Sequence, residues 1–211
     1  GFRNPFRMTI DPPTGTVWIS DVGQVTWEEI DKGQAGGNYG WPMMEGPLCS
    51  VPSCSAFTPP VWSYLHGDPV YTPNYDACAI VGPIYRGTAF PAEYRGNLFY
   101  ADYANGWIKR LVFDANGAVA ADLLFDAGPT SRFITDLKQG PDGALYYAVV
   151  QDNPDALAGV YRISATAPGN QPPVVAADAT PRQGNPTLNV QFSSAGTDDP
   201  DHGPQPLSYL W

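Results

Sequence analysis

The residues best equipped for chemistry fall in separated blocks of this 211-residue sequence. Near the start stand Gly1-Phe2-Arg3-Asn4-Pro5, then Asp21-Val22-Gly23-Gln24, Trp27-Glu28-Glu29-Ile30-Asp31 and Gly36-Gly37-Asn38-Tyr39-Gly40-Trp41-Pro42. Tyr85-Arg86-Gly87 and Arg132 follow later. Arginine presents a planar fork of donors matched to carboxylates, and hard cations such as Ca²⁺ take carboxylate and backbone carbonyl oxygens. Read locally, Gly23 is a turn and Gly36-Gly37 a hairpin loop. His66, in Tyr64-Leu65-His66-Gly67-Asp68-Pro69, could face a site, although a loop histidine is commonly a hydrogen-bonded surface residue. His202 stands with Asp198, Asp199 and Asp201, which reads as a solvated acidic turn in preference to a weak calcium loop.

Cys49, Cys54 and Cys78 form neither a C-x-x-C nor a Cys/His set with zinc spacing. Two readings stay open for them: one disulfide, as an oxidising compartment permits, or three unpaired small hydrophobes. With 21 acidic against 11 basic side chains the net charge is −10, which repels a phosphate backbone or an anionic membrane at long range. Nucleic acid is therefore excluded as a partner. No run approaches the roughly 18 apolar residues needed to span a bilayer, so no transmembrane segment is expected. The sequence opens in mid-motif without a signal peptide and closes inside an apolar strand pattern, and is expected to be a fragment.

These blocks need a scaffold, and the composition points to one. Gly (22), Pro (23), Tyr (12) and Trp (6) with only 15% charged residues favour many short strands and tight turns, an all-β protein. Strand-turn-strand units recur at residues 7–21, at 96–113 through Asn105-Gly106, and at 136–149 through Gly140-Pro141-Asp142-Gly143. Hairpins too small to bury their own faces, repeated with intervening loops, are the pattern of β-propeller blades; a β-sandwich is the alternative. The period-two pattern predicts Val17, Ile19, Leu145 and Tyr147 buried between sheets, and Trp18, Trp27, Trp41, Trp62 and Trp107 as core fillers between blades. Domain boundaries are expected at 1–164 for the blades, 165–173 for a Pro-rich linker and 174–211 for a second domain.

In that second part, Gln171-Pro172-Pro173-Val174, Val190-Gln191-Phe192-Ser193 and Leu207-Ser208-Tyr209-Leu210-Trp211 resemble the opening strands of an immunoglobulin-like PKD module. Such a resemblance implies extracellular adhesion or spacing, with contact to a cell surface or a polysaccharide.

Over residues 1–164, Arg3-Asn4-Pro5, the Gly23-Gln24 turn, Glu29-Ile30-Asp31 and Gly36-Gly37-Asn38-Tyr39-Gly40-Trp41-Pro42 follow one another as in the soluble glucose/sorbosone dehydrogenase family. Ala101-Asp102-Tyr103 and Gly159-Val160-Tyr161-Arg162-Ile163 add to the likeness. The resemblance implies a six-bladed propeller of a secreted, periplasmic or extracellular enzyme. It further implies an aldose substrate, pyrroloquinoline quinone (PQQ) with calcium as cofactors, and an external electron acceptor. Carried over by position, Arg3, Asn4, Arg86 and Arg132 would meet the quinone. The carbonyls of Gly23 and Gln24 would hold a cofactor calcium, and Glu29 with the Tyr39 carbonyl a structural one.

The sequence departs from the pattern where quinone binders carry an R-x-R-D run: here it reads Phe133-Ile134-Thr135-Asp136, with Arg132 one place out of register. The family's general-base histidine would lie N-terminal to Gly1, so this chain is expected to supply no catalytic base and to be inactive alone. A non-catalytic extracellular propeller that binds carbohydrate or protein is the alternative, because function resides in the site and not in the fold.

Overall fold

A computed structural model of the chain describes residues 1–69, 71–72, 76–128, 132–150, 158–165, 176, 178–184, 187, 189–195 and 197. The chain divides into two compact units, Gly1–Ala165 and Thr166–Trp211.

The first unit is all-β. Its first sheet contains β1 (Pro5–Ile10), β2 (Val17–Asp21) and β3 (Trp27–Lys32). A long insertion follows, carrying a short hairpin of β4 (Met44–Glu45) and β5 (Leu48–Cys49), before β6 (Trp62–Leu65) completes the order β1-β2-β3-β6. β7 (Ala79–Ile84), β8 (Leu98–Asp102), β9 (Ile108–Phe113) and β10 (Val119–Asp126) form a second four-stranded antiparallel sheet. β11 (Phe133–Gln139), β12 (Leu145–Val150) and β13 (Gly159–Ile163) form a third. Each is a meander whose first strand, β1, β7 or β11, lies on its inner side, with β7 packed between β1 and β11.

The three hairpins read from the sequence are present, and their turns explain their registers. Gly15, at φ 69°, closes the β1–β2 turn with its N–H on the Asp11 carbonyl at 2.8 Å, setting Ile10 opposite Val17. Gly106, at φ 68°, closes the β8–β9 turn in the same way on Asp102 and sets Ala101 opposite Ile108.

Burial follows from the layering. Trp18, Ile30 and Tyr64 of the first sheet pack with Ala79, Val81, Tyr100 and Trp107 of the second. Ile80, Tyr85 and Phe99 of the second pack with Ile134, Leu137, Leu145 and Tyr147 of the third. A fully buried side chain of this kind contributes about 1.5–3 kcal/mol. β7 is therefore buried along its whole length, and its Pro83 is tolerated because the β7–β8 register shifts between Val81 and Ile84. The expected burial holds for Ile19, Leu145 and Tyr147, whereas Val17 is only half-buried. The period-two pattern describes one face of β2; the other is buried too, through Trp18, as expected of a core tryptophan, and Ser20. Of the tryptophans, Trp18 and Trp107 are core; Trp27, Trp41 and Trp62 are half-buried.

In the second unit, β14 (Asp178–Thr180) pairs antiparallel with β15 (Gln191–Ser193). Residues 166–173 of the linker expected at 165–173, the strands expected at 174–175 and 207–211, and His202 with its neighbouring aspartates lie outside the described residues.

Candidate functional site

The inner strands give the first unit two ends. Val81 N–H donates to Ser20 Oγ at 3.2 Å and Ala79 N–H to Glu28 Oε2 at 2.7 Å, so β7 starts where β1 starts and β2 ends. Arg86 after β7 and Asp11 after β1 meet at the other end. The two ends are about 17 Å apart, five residue steps of roughly 3.3 Å along β1.

At the starting end, Arg3 Nη1 donates to the carbonyls of Val22 at 3.0 Å and Gly23 at 2.8 Å, and its guanidinium lies 5.6 Å from the centre of the Trp41 ring. The N–H groups of Arg3 and Asn4 both donate to the Asp21 carboxylate, at 2.8 and 2.5 Å. Gly23 has no room for a side chain, because a Cβ would stand 1.7 Å from the Trp27 carbonyl oxygen. Glu45 Oε1 accepts the N–H groups of Gln24, Val25, Thr26 and Trp27 at 2.8–3.3 Å. Burial opposes the Glu45 charge, yet this cradle of donors holds its carboxyl below the usual range. The loop after β2 is thus held from both sides.

Beside it opens a cleft of about 370 Å³ lined by Gly23, Gln24, Val25, His66, Asp76 and Ala77. His66 Nε2 sits 2.8 Å from Glu28 Oε1, and the same carboxylate accepts the Gly23 and Ala79 N–H groups. Burial pushes the Glu28 carboxyl up, countered by the His66 and Ala79 bonds; the bond to Glu28 raises His66. His66 is therefore not a surface histidine but a carboxylate-oriented imidazole on the cleft wall. Glu28 was given no role from the sequence because it stands just before the Glu29-Ile30-Asp31 block that carried the resemblance. Asp102 completes the layer below, accepting from Tyr64 Oη at 2.7 Å, Cys78 N at 3.0 Å and Asn105 N at 2.8 Å. Cys78 is a free thiol pushed up to about 12 by burial and by Glu28 and Asp102, so it is no nucleophile near neutral pH. Cys49 and Cys54 form the disulfide.

On the opposite face of the first sheet, Asp21 pairs with Glu29 and Ile19 with Asp31, which places three acids on one side of β2 and β3. Burial, with the neighbouring acids, raises Glu29 to about 7 and Asp31 to about 8. Gly46 N–H donates to Glu29 Oε1, and Tyr39 donates its hydroxyl to the Lys32 carbonyl at 3.0 Å while stacking on Phe2. Among the described residues no three His, Cys, Asp or Glu side chains converge closely enough to hold an ion by themselves.

The structure brings together only some of the residues assigned to a cofactor. Arg3, Asn4, Gly23 and Gln24 share the starting end. Arg86 does not: it forks onto Asp11 at 2.9 and 2.7 Å at the far end. Arg132 is buried, its guanidinium on the Gly106 carbonyl, on Asp126 at 2.7 Å and over the Tyr147 ring. Both are committed to joining sheets. The fit to a quinone with three carboxylates is consequently partial: Arg132 precedes β11 at the cleft end but is spent on Gly106 and Asp126, which leaves Arg3 as the assigned cation exposed there. Gly23 oxygen, already accepting from Arg3, also fits a calcium poorly, since the guanidinium and the ion would compete for it. The buried Glu29 and Asp31 oxygens do fit a hard cation.

Three blade-like antiparallel sheets around parallel inner strands define a protein of the β-propeller class. A family model for glucose/sorbosone dehydrogenase matches residues 1–158, and the chain belongs to that family. Among curated relatives, it is 31% identical over 186 residues to the HIPL2 protein of Arabidopsis thaliana, covering 77% of this chain and 26% of that protein. It is 29% identical over 154 residues to the aldose sugar dehydrogenase YliI of Escherichia coli K12, covering 69% and 38%. Among solved structures, a glucose dehydrogenase superposes with a TM-score of 0.60 at 24% identity over 79% of this chain and 45% of its own. The PQQ-bound aldose sugar dehydrogenase of Streptomyces coelicolor superposes with a TM-score of 0.56 at 19% identity, over 77% and 43%. These superpositions show the shared fold. The chain spans less than half of the length of each of these proteins.

Proposed function

We propose that the chain is part of a secreted, quinone-dependent sugar dehydrogenase that oxidises an aldose and hands the electrons to an external acceptor. The observation that carries the reading is the family match over residues 1–158, together with Arg3 and Asn4 meeting the Gly23 loop at one end of the inner strands. PQQ bound with calcium would supply a carbonyl able to take up hydride from a sugar carbon. The chain's own residues would position the ligand. Arg3 spends only Nη1 on the loop and keeps donors for a carboxylate, and Asn4 stands exposed beside it. His66, oriented by Glu28, would present a polar wall to a sugar hydroxyl. The base that removes the hydroxyl proton is assigned to sequence N-terminal to Gly1, so the 211-residue chain by itself is expected to be inactive. The Cys49–Cys54 disulfide supports an oxidising compartment, and no helix among the described residues is long and apolar enough to cross a membrane. The second unit is proposed to be a PKD-type spacer, for which the β14–β15 pair is supporting evidence.

Reconstitution of an N-terminally extended protein with PQQ and calcium, followed by dye reduction with aldoses, tests the reading: a bound chromophore and sugar-dependent turnover support it. A folded protein that binds no quinone selects the second reading, a non-catalytic propeller that binds carbohydrate or protein. The commitment of Arg86 and Arg132 to structural bonds is what favours that alternative.

A further inference from the structure

Asp31 poses a problem that the other described residues leave unsolved. It is 0% exposed, and neither carboxylate oxygen has a hydrogen-bond partner among the described residues. A buried carboxylate is stable when paired, hydrogen-bonded or coordinating a metal. The charges that act on Asp31 are Glu29 and Asp21, which are of its own sign. Asp21 cannot relieve it, since its two oxygens are taken by the N–H groups of Arg3 and Asn4. Glu29 spends Oε1 on Gly46.

We propose that Asp31 is the second carboxylate of a Ca²⁺ site shared with Glu29, and that the ion clasps the 33–61 insertion to the first sheet. The proposal rests on the structural calcium that the family resemblance assigns to Glu29 and the Tyr39 carbonyl, and adds to it a ligand and the segment that the ion holds. Both Asp31 oxygens and the remaining Glu29 oxygen are hard donors, and no Cys or His stands among them to favour a softer metal. Two carboxylates leave most of the six to eight positions of Ca²⁺ to backbone carbonyls, in keeping with the lack of a third converging side chain. The insertion is the natural source of these. It carries Tyr39, the β4–β5 hairpin and the Cys49–Cys54 disulfide, and Gly46 already meets Glu29. The ion would cancel two buried charges and make the fold of the insertion depend on calcium.

The test uses the 211-residue chain, Tb³⁺ as a luminescent probe excited through Trp27 and the other indoles, and calcium against EGTA in thermal unfolding and limited proteolysis of the 33–61 segment. Calcium is expected to raise the melting temperature by several degrees and slow cleavage in the insertion. Asp31→Asn and Asp31→Ser are each expected to weaken Tb³⁺ at least ~10-fold and abolish the calcium-dependent protection. If Glu29→Gln loses the response but both Asp31 variants keep it, the Glu29 calcium stands and Asp31 is not its ligand. If calcium leaves the wild type unchanged and Asp31→Asn raises its melting temperature, Asp31 is a buried neutral acid and both readings fall. Should neither Asp31 variant fold, a wild-type chain indifferent to calcium and EGTA overturns the proposal, and a Glu29→Gln chain that still binds Tb³⁺, more weakly than the wild type, supports it.

Discussion

His66 Nε2 lies 2.8 Å from Glu28 Oε1, and that one carboxylate joins the loop after β6, the Gly23 loop and the first residue of β7. Glu28 is 0% exposed, so its removal leaves an imidazole and two N–H groups facing an empty buried position. Glu28→Ala is expected to cost about 3–5 kcal/mol and His66→Ala about 1–3 kcal/mol in chemical denaturation. A loss under about 1 kcal/mol for Glu28→Ala would show that the cleft is held by other contacts.

Lys109 offers a contrast between buried and exposed ion pairs. Its ammonium is 2.9 Å from Asp122 and 3.2 Å from the centre of the Tyr71 ring, while Tyr71 and Tyr100 both donate to the same aspartate at 2.7 Å. Lys109→Met leaves Asp122 buried without its cation and should cost about 3–5 kcal/mol. Lys138, paired with Asp136 at the surface, should change stability by no more than about 0.5 kcal/mol when replaced by Ala. Equal effects from the two substitutions would contradict the burial argument.

Gly82, on the inner strand β7, is required by packing. A Cβ there would meet Leu137 Cδ2 at 2.7 Å and the Phe99 carbonyl oxygen at 2.9 Å. Gly82→Ala is expected to cost about 1–3 kcal/mol by overpacking the junction between the second and third sheets. Thermal unfolding checks it, and an unchanged melting temperature would mean that β11 shifts freely.

Asp11 and Arg86 set an acid sensitivity at the far end. The Arg86 fork holds the Asp11 carboxyl below its ordinary value, against the opposing effect of burial and with help from Thr14. The unfolded state therefore binds the proton more readily. The bond's contribution is complete above about pH 4 and is lost as pH falls through the depressed folded value. With Arg86 41% exposed, solvent screening limits it to about 1 kcal/mol. Asp11→Asn should be less stable at neutral pH by that amount and indistinguishable from the wild type near pH 2. Acid unfolding followed by tryptophan fluorescence decides, and a deficit that persists at pH 2 would refute the assignment.

The all-β class, the three principal hairpins and the blade pattern were legible in the sequence because they are written locally. Asp11-Pro12-Pro13-Thr14-Gly15 and Asn105-Gly106 dictate turns, and period-two apolar residues dictate which faces are covered. The family resemblance was legible for the same reason, being carried by short ordered blocks such as Arg3-Asn4-Pro5 and Gly36-Gly37-Asn38-Tyr39-Gly40. What no local pattern contains is the partner of each charged group. The same residue type at a similar motif position can stand exposed on the loop beside a cleft, as Arg3 does, or bind across sheets, as Arg86 does to Asp11 and Arg132 to Gly106 and Asp126. His66 and Glu28 are 38 residues apart and meet only because β6 pairs with β3. Asp31 looked like one more acidic strand residue until the tertiary fold sealed it from water with no hydrogen-bond partner among the described residues. Fold class depends on short-range sterics and periodicity, whereas the chemistry of a charged side chain depends on burial and on long-range neighbours, which packing alone decides.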